Sequence, residues 1–250
     1  MYYYTTNIMS TFITKETTMR LLRDVKNILQ NPLTENGIYY IHDDEDMMKG
    51  YVLIIGPSDT PYFGGNYFFE INYPSDYPHT PPKVKYCTNG NDIRFNPNLY
   101  KCGKVCVSLL NTWRGDQWTS CQTISTVLLT LCTLLCKDPL LNEPGVYKTH
   151  NDMKPYDEII QYSNLDIAVC DIIIKKPGVF MPFFDYFYPF IKENFNKNYN
   201  NLLDFAEKKH KNDFKEPILL RTGFYSLNVH VNYEKIINRL KETKMFIDSV

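Results

Sequence analysis

The segment Arg94-Phe95-Asn96-Pro97-Asn98-Leu99-Tyr100-Lys101-Cys102-Gly103-Lys104-Val105-Cys106-Val107-Ser108-Leu109-Leu110 sets the reading of the whole chain. Its first half is a polar turn, because Pro97 fixes its own φ and drives Asn96 toward an extended backbone. Its second half, from Val105, is an apolar run carrying a thiol eight residues beyond Asn98. Between them Gly103 allows backbone angles that a side chain resists. Such a segment can set the Asn98 amide beside the Cys106 sulfur. An amide N–H is a suitable donor to the oxyanion formed when sulfur attacks an acyl carbon. On spacing alone two readings stand: a nucleophilic thiol, or a small buried apolar side chain, the common fate of a free cysteine.

Working outward, residues 1–14 lack a period and read as a flexible arm. Thr14 is placed to cap a helix in which Leu21, Leu22, Val25, Ile28 and Leu29 form the apolar stripe, and Pro32 ends it. Four strand-like runs follow, at 37–41, 51–55, 67–72 and 83–86, bounded by Gly, Pro and Asp. They predict an antiparallel meander. The acidic turn His42-Asp43-Asp44-Glu45-Asp46 reads as a solvated tip, without the spacing of a calcium loop. Downstream of the thiol, the polar loop 111–117 leads to Trp118, and Thr119 or Ser120 is placed to cap a helix over 123–136. A Pro/Gly turn at 138–145 precedes a helix over 155–174. Lys175-Lys176-Pro177-Gly178 marks a boundary. Beyond it come seven aromatics between Phe180 and Phe190, a helix at 190–211 and another at 232–246. That aromatic density does not fit a disordered tail. The chain therefore reads as α+β: a core over 15–174 and a helical extension over 175–250 that docks on it.

The composition is that of a globular protein, with 44% hydrophobic and 22% charged residues and a formal net charge of −1. No global basic field argues for nucleic acid. The longest apolar run, 127–136, is too short to span a bilayer, and the first residues carry no secretion signal. Seven cysteines without framework spacing suit a reducing compartment, hence a cytoplasmic or nuclear protein. Two Cys-x3-Cys pairs, Cys102/Cys106 and Cys132/Cys136, raise zinc, but no Cys-x2-Cys or His-x3-His partner accompanies them. The five histidines sit in no signature of a cysteine protease. Phosphate-loop and dinucleotide fingerprints are absent, so no cofactor is expected.

Asn-Pro-Asn eight residues before Cys106, then Val-Ser-Leu-Leu and a downstream Trp, resembles the active-site signature of ubiquitin-conjugating enzymes. So do Gly56-Pro57, Thr60-Pro61-Tyr62-Phe63-Gly64-Gly65, Tyr73-Pro74-Ser75-Asp76-Tyr77-Pro78-His79-Thr80-Pro81-Pro82-Lys83-Val84 and the run 123–136. Asn142-Glu143-Pro144-Gly145, Tyr156-Asp157-Glu158-Ile159-Ile160 and Ala168-Val169-Cys170-Asp171 are similar to the larger members with a long C-terminal extension. The resemblance implies that Cys106 takes ubiquitin or a ubiquitin-like modifier as a thioester from the activating enzyme and passes it to a substrate lysine, with or without a ligase. It implies that Asn98 stabilises the oxyanion or braces the loop, and that Glu143, or Asn142 beside it, orients the incoming amine. Ser108 falls at the family's site rim, or is a plain strand-end hydroxyl. The resemblance also implies a cis Tyr77–Pro78 bond and a docking face on the first helix around Arg20, Arg23 and Lys26. Two positions depart from the pattern: Asn96 stands where the family has His, and His79 where many relatives carry an aromatic that docks into ligases. A non-catalytic binding module of the same fold is the alternative, and the presence of Cys106 and Asn98 argues against it.

Overall fold

The computed structural model describes residues 13–88, 90, 92–175 and 183–249. Most of the 1–14 arm and most of the 175–178 boundary lie outside those residues. Helix α1 (Lys15–Gln30) begins where expected, with Thr14 Oγ1 accepting the Thr17 N–H at 3.1 Å. Its buried stripe is narrower than the sequence predicts: Leu21, Val25 and Ile28 are buried, whereas Leu22 and Leu29 are 53% and 57% exposed. The inward face has room for a polar residue instead. Buried Asp24 accepts from Arg20 Nε at 3.0 Å and from Tyr77 Oη at 2.5 Å. Arg20 also reaches the Ser120 and Gln122 carbonyls, both at 2.5 Å, so it ties α1 to the loop before the next helix rather than facing solvent.

Strands β1 (Ile38–His42), β2 (Lys49–Ile55), β3 (Asn66–Asn72) and β4 (Lys83–Tyr86) form the predicted antiparallel meander in sequence order. Side chains alternate between its faces. Val52, Ile54, Tyr67, Phe69 and Ile71 join the main core, while Leu53 and Phe68 point the other way into a second cluster. Both faces are covered, which is why the strands read as almost unbroken apolar runs. Helix α2 (Ile124–Leu134) follows the catalytic-type segment. Its cap is Thr123 rather than Thr119 or Ser120, since Thr123 and Thr126 exchange side-chain to backbone bonds as a capping box.

The helix predicted over 155–174 is continuous but not uniform. It runs as α3 (Met153–Ser163), a π-helical segment Asn164–Asp171 and α4 (Ile172–Lys175). In the π segment the Ala168 carbonyl accepts from Asn66 Nδ2 at 2.8 Å and the Asp166 carbonyl from Arg239 Nη1 at 2.8 Å. Asn164 pins this wide turn to the sheet, accepting from Tyr67 Oη at 2.6 Å and donating to the Phe63 carbonyl at 2.9 Å. The approach requires Gly65, where an added Cβ would lie 1.9 Å from Asn164 Oδ1.

The extension supplies α5 (Phe184–Asn212), strands β5 (Ile218–Arg221) and β6 (Asn228–Val231), and α6 (Tyr233–Ser249). The helices match the expectation, and the hairpin is an addition to it. Phe184, Phe187, Ile191 and Phe195 of α5 pack with Leu53 and Phe68 on the sheet's outer face, and α6 adds Tyr233, Ile236 and Leu240. Arg239 of α6 is paired with Asp166 and Asp171, and Lys209 of α5 with Glu158 of α3 at 2.6 Å. The hairpin bridges the two clusters, with Val231 buried in the second, Leu227 in the main core, Phe224 and Tyr225 packed against the main core, and Leu220 and Val229 against both. Among the described residues no helix is long and apolar enough to cross a membrane.

Candidate active site

Between β4 and α2 the chain folds into a small looped ladder that carries the predicted site. Gly103, at φ +91°, closes its turn, and a Cβ there would meet the Tyr86 carbonyl at 3.0 Å. The ladder brings Leu99 opposite Val105. Asn98 and Cys106 therefore face each other and bond twice: the Cys106 N–H donates to the Asn98 carbonyl at 2.9 Å, and Asn98 Nδ2 donates to the Cys106 carbonyl at 2.6 Å. Asn98 Oδ1 is buried with no hydrogen-bond partner among the described residues. The amide is thus turned so that its N–H side serves the loop through the Cys106 carbonyl, and the amide carries two N–H donors in all.

Asn96, in place of the family histidine, is fully buried at the centre of this loop. Its Oδ1 accepts the Asn98 N–H at 2.9 Å, and its Nδ2 donates to the Leu134 carbonyl at 2.7 Å and to Tyr62 Oη at 3.2 Å. One amide thereby joins the Asn-Pro-Asn turn to the end of α2 and to the sheet side of the core. Asn142 Nδ2 also reaches Asn96 Oδ1, at 3.4 Å. This brings the 139–143 turn to the same loop.

The Cys106 side is organised by Thr112, which the sequence reading passed over as part of a polar loop. The Cys106 thiol donates to the Thr112 carbonyl at 2.9 Å, and Thr112 Oγ1 accepts the Val107 N–H at 2.9 Å. Cys106 as a residue is only 4% exposed. Ser108 begins the following turn, half-buried, with Gly115 of the loop close above it at φ +130°. Trp118 anchors the far end of the loop through its Nε1–H to the Pro78 carbonyl at 2.7 Å, and Tyr77–Pro78 is cis as the resemblance implied. His79 is exposed, beside Glu16 of α1 at 3.5 Å.

Glu143 lies next to Asn142 at the end of the short turn Pro139–Asn142. Its carboxylate accepts from Tyr225 Oη of the C-terminal hairpin. Burial and that carboxylate both push the Tyr225 hydroxyl well above the ordinary tyrosine range, so it stays a donor. The Tyr225 ring in turn lies 4.3 Å from the Arg94 guanidinium, which sits 3.7 Å from Tyr100 on its other contact and donates through Nη2 to the Pro97 carbonyl at 2.5 Å. Neither Arg94 nor Tyr225 was singled out by sequence. Arg94 adjoined the motif, whereas Tyr225 is 82 residues from Glu143 and no local signal points to it. The extension, expected to dock on the core, thus reaches Glu143 through Tyr225.

The cysteine pairs do not converge: Cys102 is exposed, Cys132 and Cys136 are half-buried, and burial raises both of the latter thiols. Among the described residues no three His, Cys, Asp or Glu side chains group to hold a metal ion.

The α+β core that carries this ladder is matched over residues 20–163 by the ubiquitin-conjugating enzyme family model. The chain belongs to the ubiquitin-conjugating enzyme family. It is 35% identical over 246 residues to ubiquitin-conjugating enzyme E2 Z of Homo sapiens, covering 92% of this chain and 67% of that protein. The same protein from Danio rerio is 37% identical over 212 residues, 79% of this chain and 64% of that one. This chain therefore spans about two thirds of the length of these relatives. The dual E2 ubiquitin-conjugating enzyme/E3 ubiquitin-protein ligase BIRC6 of Homo sapiens is 46% identical over 158 residues, 57% of this chain but 3% of that protein. At 92% of the chain, the first of these matches reaches into the extension; the last covers a shorter span.

Proposed function

We propose that this chain accepts ubiquitin, or a ubiquitin-like modifier, as a thioester on Cys106 and transfers it to a substrate lysine. The observation that carries the reading is the reciprocal clamp between Asn98 and Cys106, which fixes the nucleophile's backbone beside a spare amide donor. In the loading step the Cys106 thiolate attacks the thioester joining the modifier to the activating enzyme. The new C–S bond forms as the old one breaks, and the activating enzyme's thiolate leaves. In the transfer step a neutral lysine amine adds to the Cys106 thioester carbon. The oxyanion so formed lies within the reach of the second Asn98 N–H, the C–S bond breaks, and Cys106 leaves as thiolate while the amine loses its proton. Glu143 orients that amine and offers its carboxylate to the proton, Asn142 steadies the loop beside it, and Ser108 lies at the rim.

In this reading residues 15–174 carry the chemistry, and the partners are the activating enzyme and a ligase or the substrate itself. Met19 and Leu22 of α1, 55% and 53% exposed beside exposed Arg23 and Lys26, fit a docking surface for them. The setting is cytoplasmic or nuclear. One observation favours the second reading, a binding module without catalysis: the thiol is nearly enclosed and donates to the Thr112 carbonyl. Incubation with activating enzyme, ATP and ubiquitin, resolved on a non-reducing gel, separates the two. The expected result is a reductant-sensitive adduct that Cys106→Ala abolishes and Cys102→Ala, Cys132→Ala and Cys136→Ala retain. Charging of the Cys106→Ala protein, or none by the wild type, overturns the reading.

A further inference from the structure

Tyr225 holds an unusual backbone. Its φ of +58° places a bulky aromatic in the left-handed region, and Ser226 follows at +50°. For a residue other than glycine that conformation is strained, and such strain persists where surrounding contacts over-determine it. Here those contacts all lead to the candidate site. The hairpin tip is fastened to α3 by the Phe224 N–H, which donates to Asp152 Oδ2 at 2.8 Å, and closed by the Thr222 N–H on the Leu227 carbonyl at 3.1 Å. So held, Tyr225 turns its hydroxyl onto Glu143 and its ring onto Arg94. Arg94 passes the contact on to the Pro97 carbonyl, one residue before Asn98. One side chain of the extension thus touches both the acid proposed to receive the amine and the arginine that braces the oxyanion loop.

We propose that Tyr225 is a positioning residue for the transfer step, holding the Glu143 carboxylate in the orientation from which it meets the incoming lysine. The inference rests on the proposed thioester chemistry and assigns the C-terminal hairpin a part in it. Loading, in which no amine takes part, lies outside its scope. An uncompensated hydrogen bond to a carboxylate is worth roughly a factor of ten or more in an equilibrium, and its loss leaves Glu143 free to swing away. Tyr225→Phe deletes the hydroxyl while keeping the ring on Arg94, so it separates orientation of the acid from packing of the loop.

The test is single-turnover discharge of ubiquitin-loaded full-length chain onto free lysine, with matched thermal melts. Tyr225→Phe is expected to discharge about tenfold more slowly. In a Glu143→Ala background the same substitution is expected to change discharge by less than about twofold, because its effect runs through that carboxylate. Asp152→Ala, which unfastens the hairpin without touching Tyr225, is expected to slow discharge in the same direction. Equal or faster discharge by Tyr225→Phe overturns the positioning role, as does equal slowing with and without Glu143, which would mark a packing effect. A wild-type chain that never loads overturns the parent reading and this inference with it; a chain that loads and discharges identically with either side chain overturns this inference alone.

Discussion

Asn96 has four hydrogen-bond partners and no exposure, so its replacement is a question of volume and pairing rather than of surface chemistry. Asn96→Ala would strand the Asn98 N–H and the Leu134 carbonyl in a buried site, at about 1–3 kcal/mol for each group left unpaired, while Tyr62 Oη keeps its bond to the Phe95 carbonyl. Asn96→His restores the family's residue and one donor and one acceptor in the neutral ring. We expect Asn96→Ala to lower the melting temperature by about 4 °C or more and to load poorly, while Asn96→His loads at a rate close to wild type. Equal melting temperatures for Asn96→Ala and wild type would remove the bracing role. The spacing of Asn98 and Cys106 made their pairing legible, because both lie in one short ladder. The partners of Glu143 were not legible, because the contact depends on where an unrelated hairpin comes to rest.

At the scale of elements, α3 meets α5 through a charged seam. Burial comes first, then the neighbouring Glu158 and Asp138, in pushing Asp157 up to about 6 from 3.8; Lys209 of α5 and Gln161 of α3 oppose the shift. The sign follows from proton binding. The folded chain holds this proton where the unfolded chain has lost it, so the group's contribution to stability declines as pH rises from 3.8 to about 6 and stays reduced above. Asp157→Asn is expected to raise the melting temperature by about 2–4 °C at pH 7, a figure kept small because solvent screens a partly exposed carboxyl. At pH 4 the gain should vanish. The same gain at both pH values would show that charge is not the cause. The four strands were legible in sequence, since apolar runs between turn residues mark them. The hairpin β5–β6 was less so: Ile218-Leu219-Leu220 and Val229-His230-Val231 flank a single Gly223, and the turn holds two non-glycine residues at positive φ. The π segment has no period of its own in the sequence, because it is held by Asn66, Arg239 and the partners of Asn164, Phe63 and Tyr67, from elsewhere in the fold.

For the whole molecule, the extension is part of the packing rather than an appendage. Phe184, Phe187, Ile191 and Phe195 are each at most 2% exposed, and such side chains contribute roughly 1.5–3 kcal/mol apiece on burial. Their sum alone is comparable with the 5–15 kcal/mol that holds a typical domain folded. A chain ended at Lys175 should therefore melt at least about 10 °C lower than the full chain and bind an apolar dye through Leu53 and Phe68. An unchanged melting temperature without dye binding would contradict the packing. That the aromatic-rich tail must find a surface was readable from composition; which surface it found was not. Only seven residues, 176–182, join α4 to the segment that begins at Phe183. The outer face of the sheet is thus occupied by a part of the same chain, and covalent linkage holds such an occupant at an effective concentration on the order of millimolar. An external protein seeking the same face competes with an occupant it cannot dilute away. It gains entry only by binding more tightly than α5 docks at that concentration, so partners of this chain are steered toward its other surfaces.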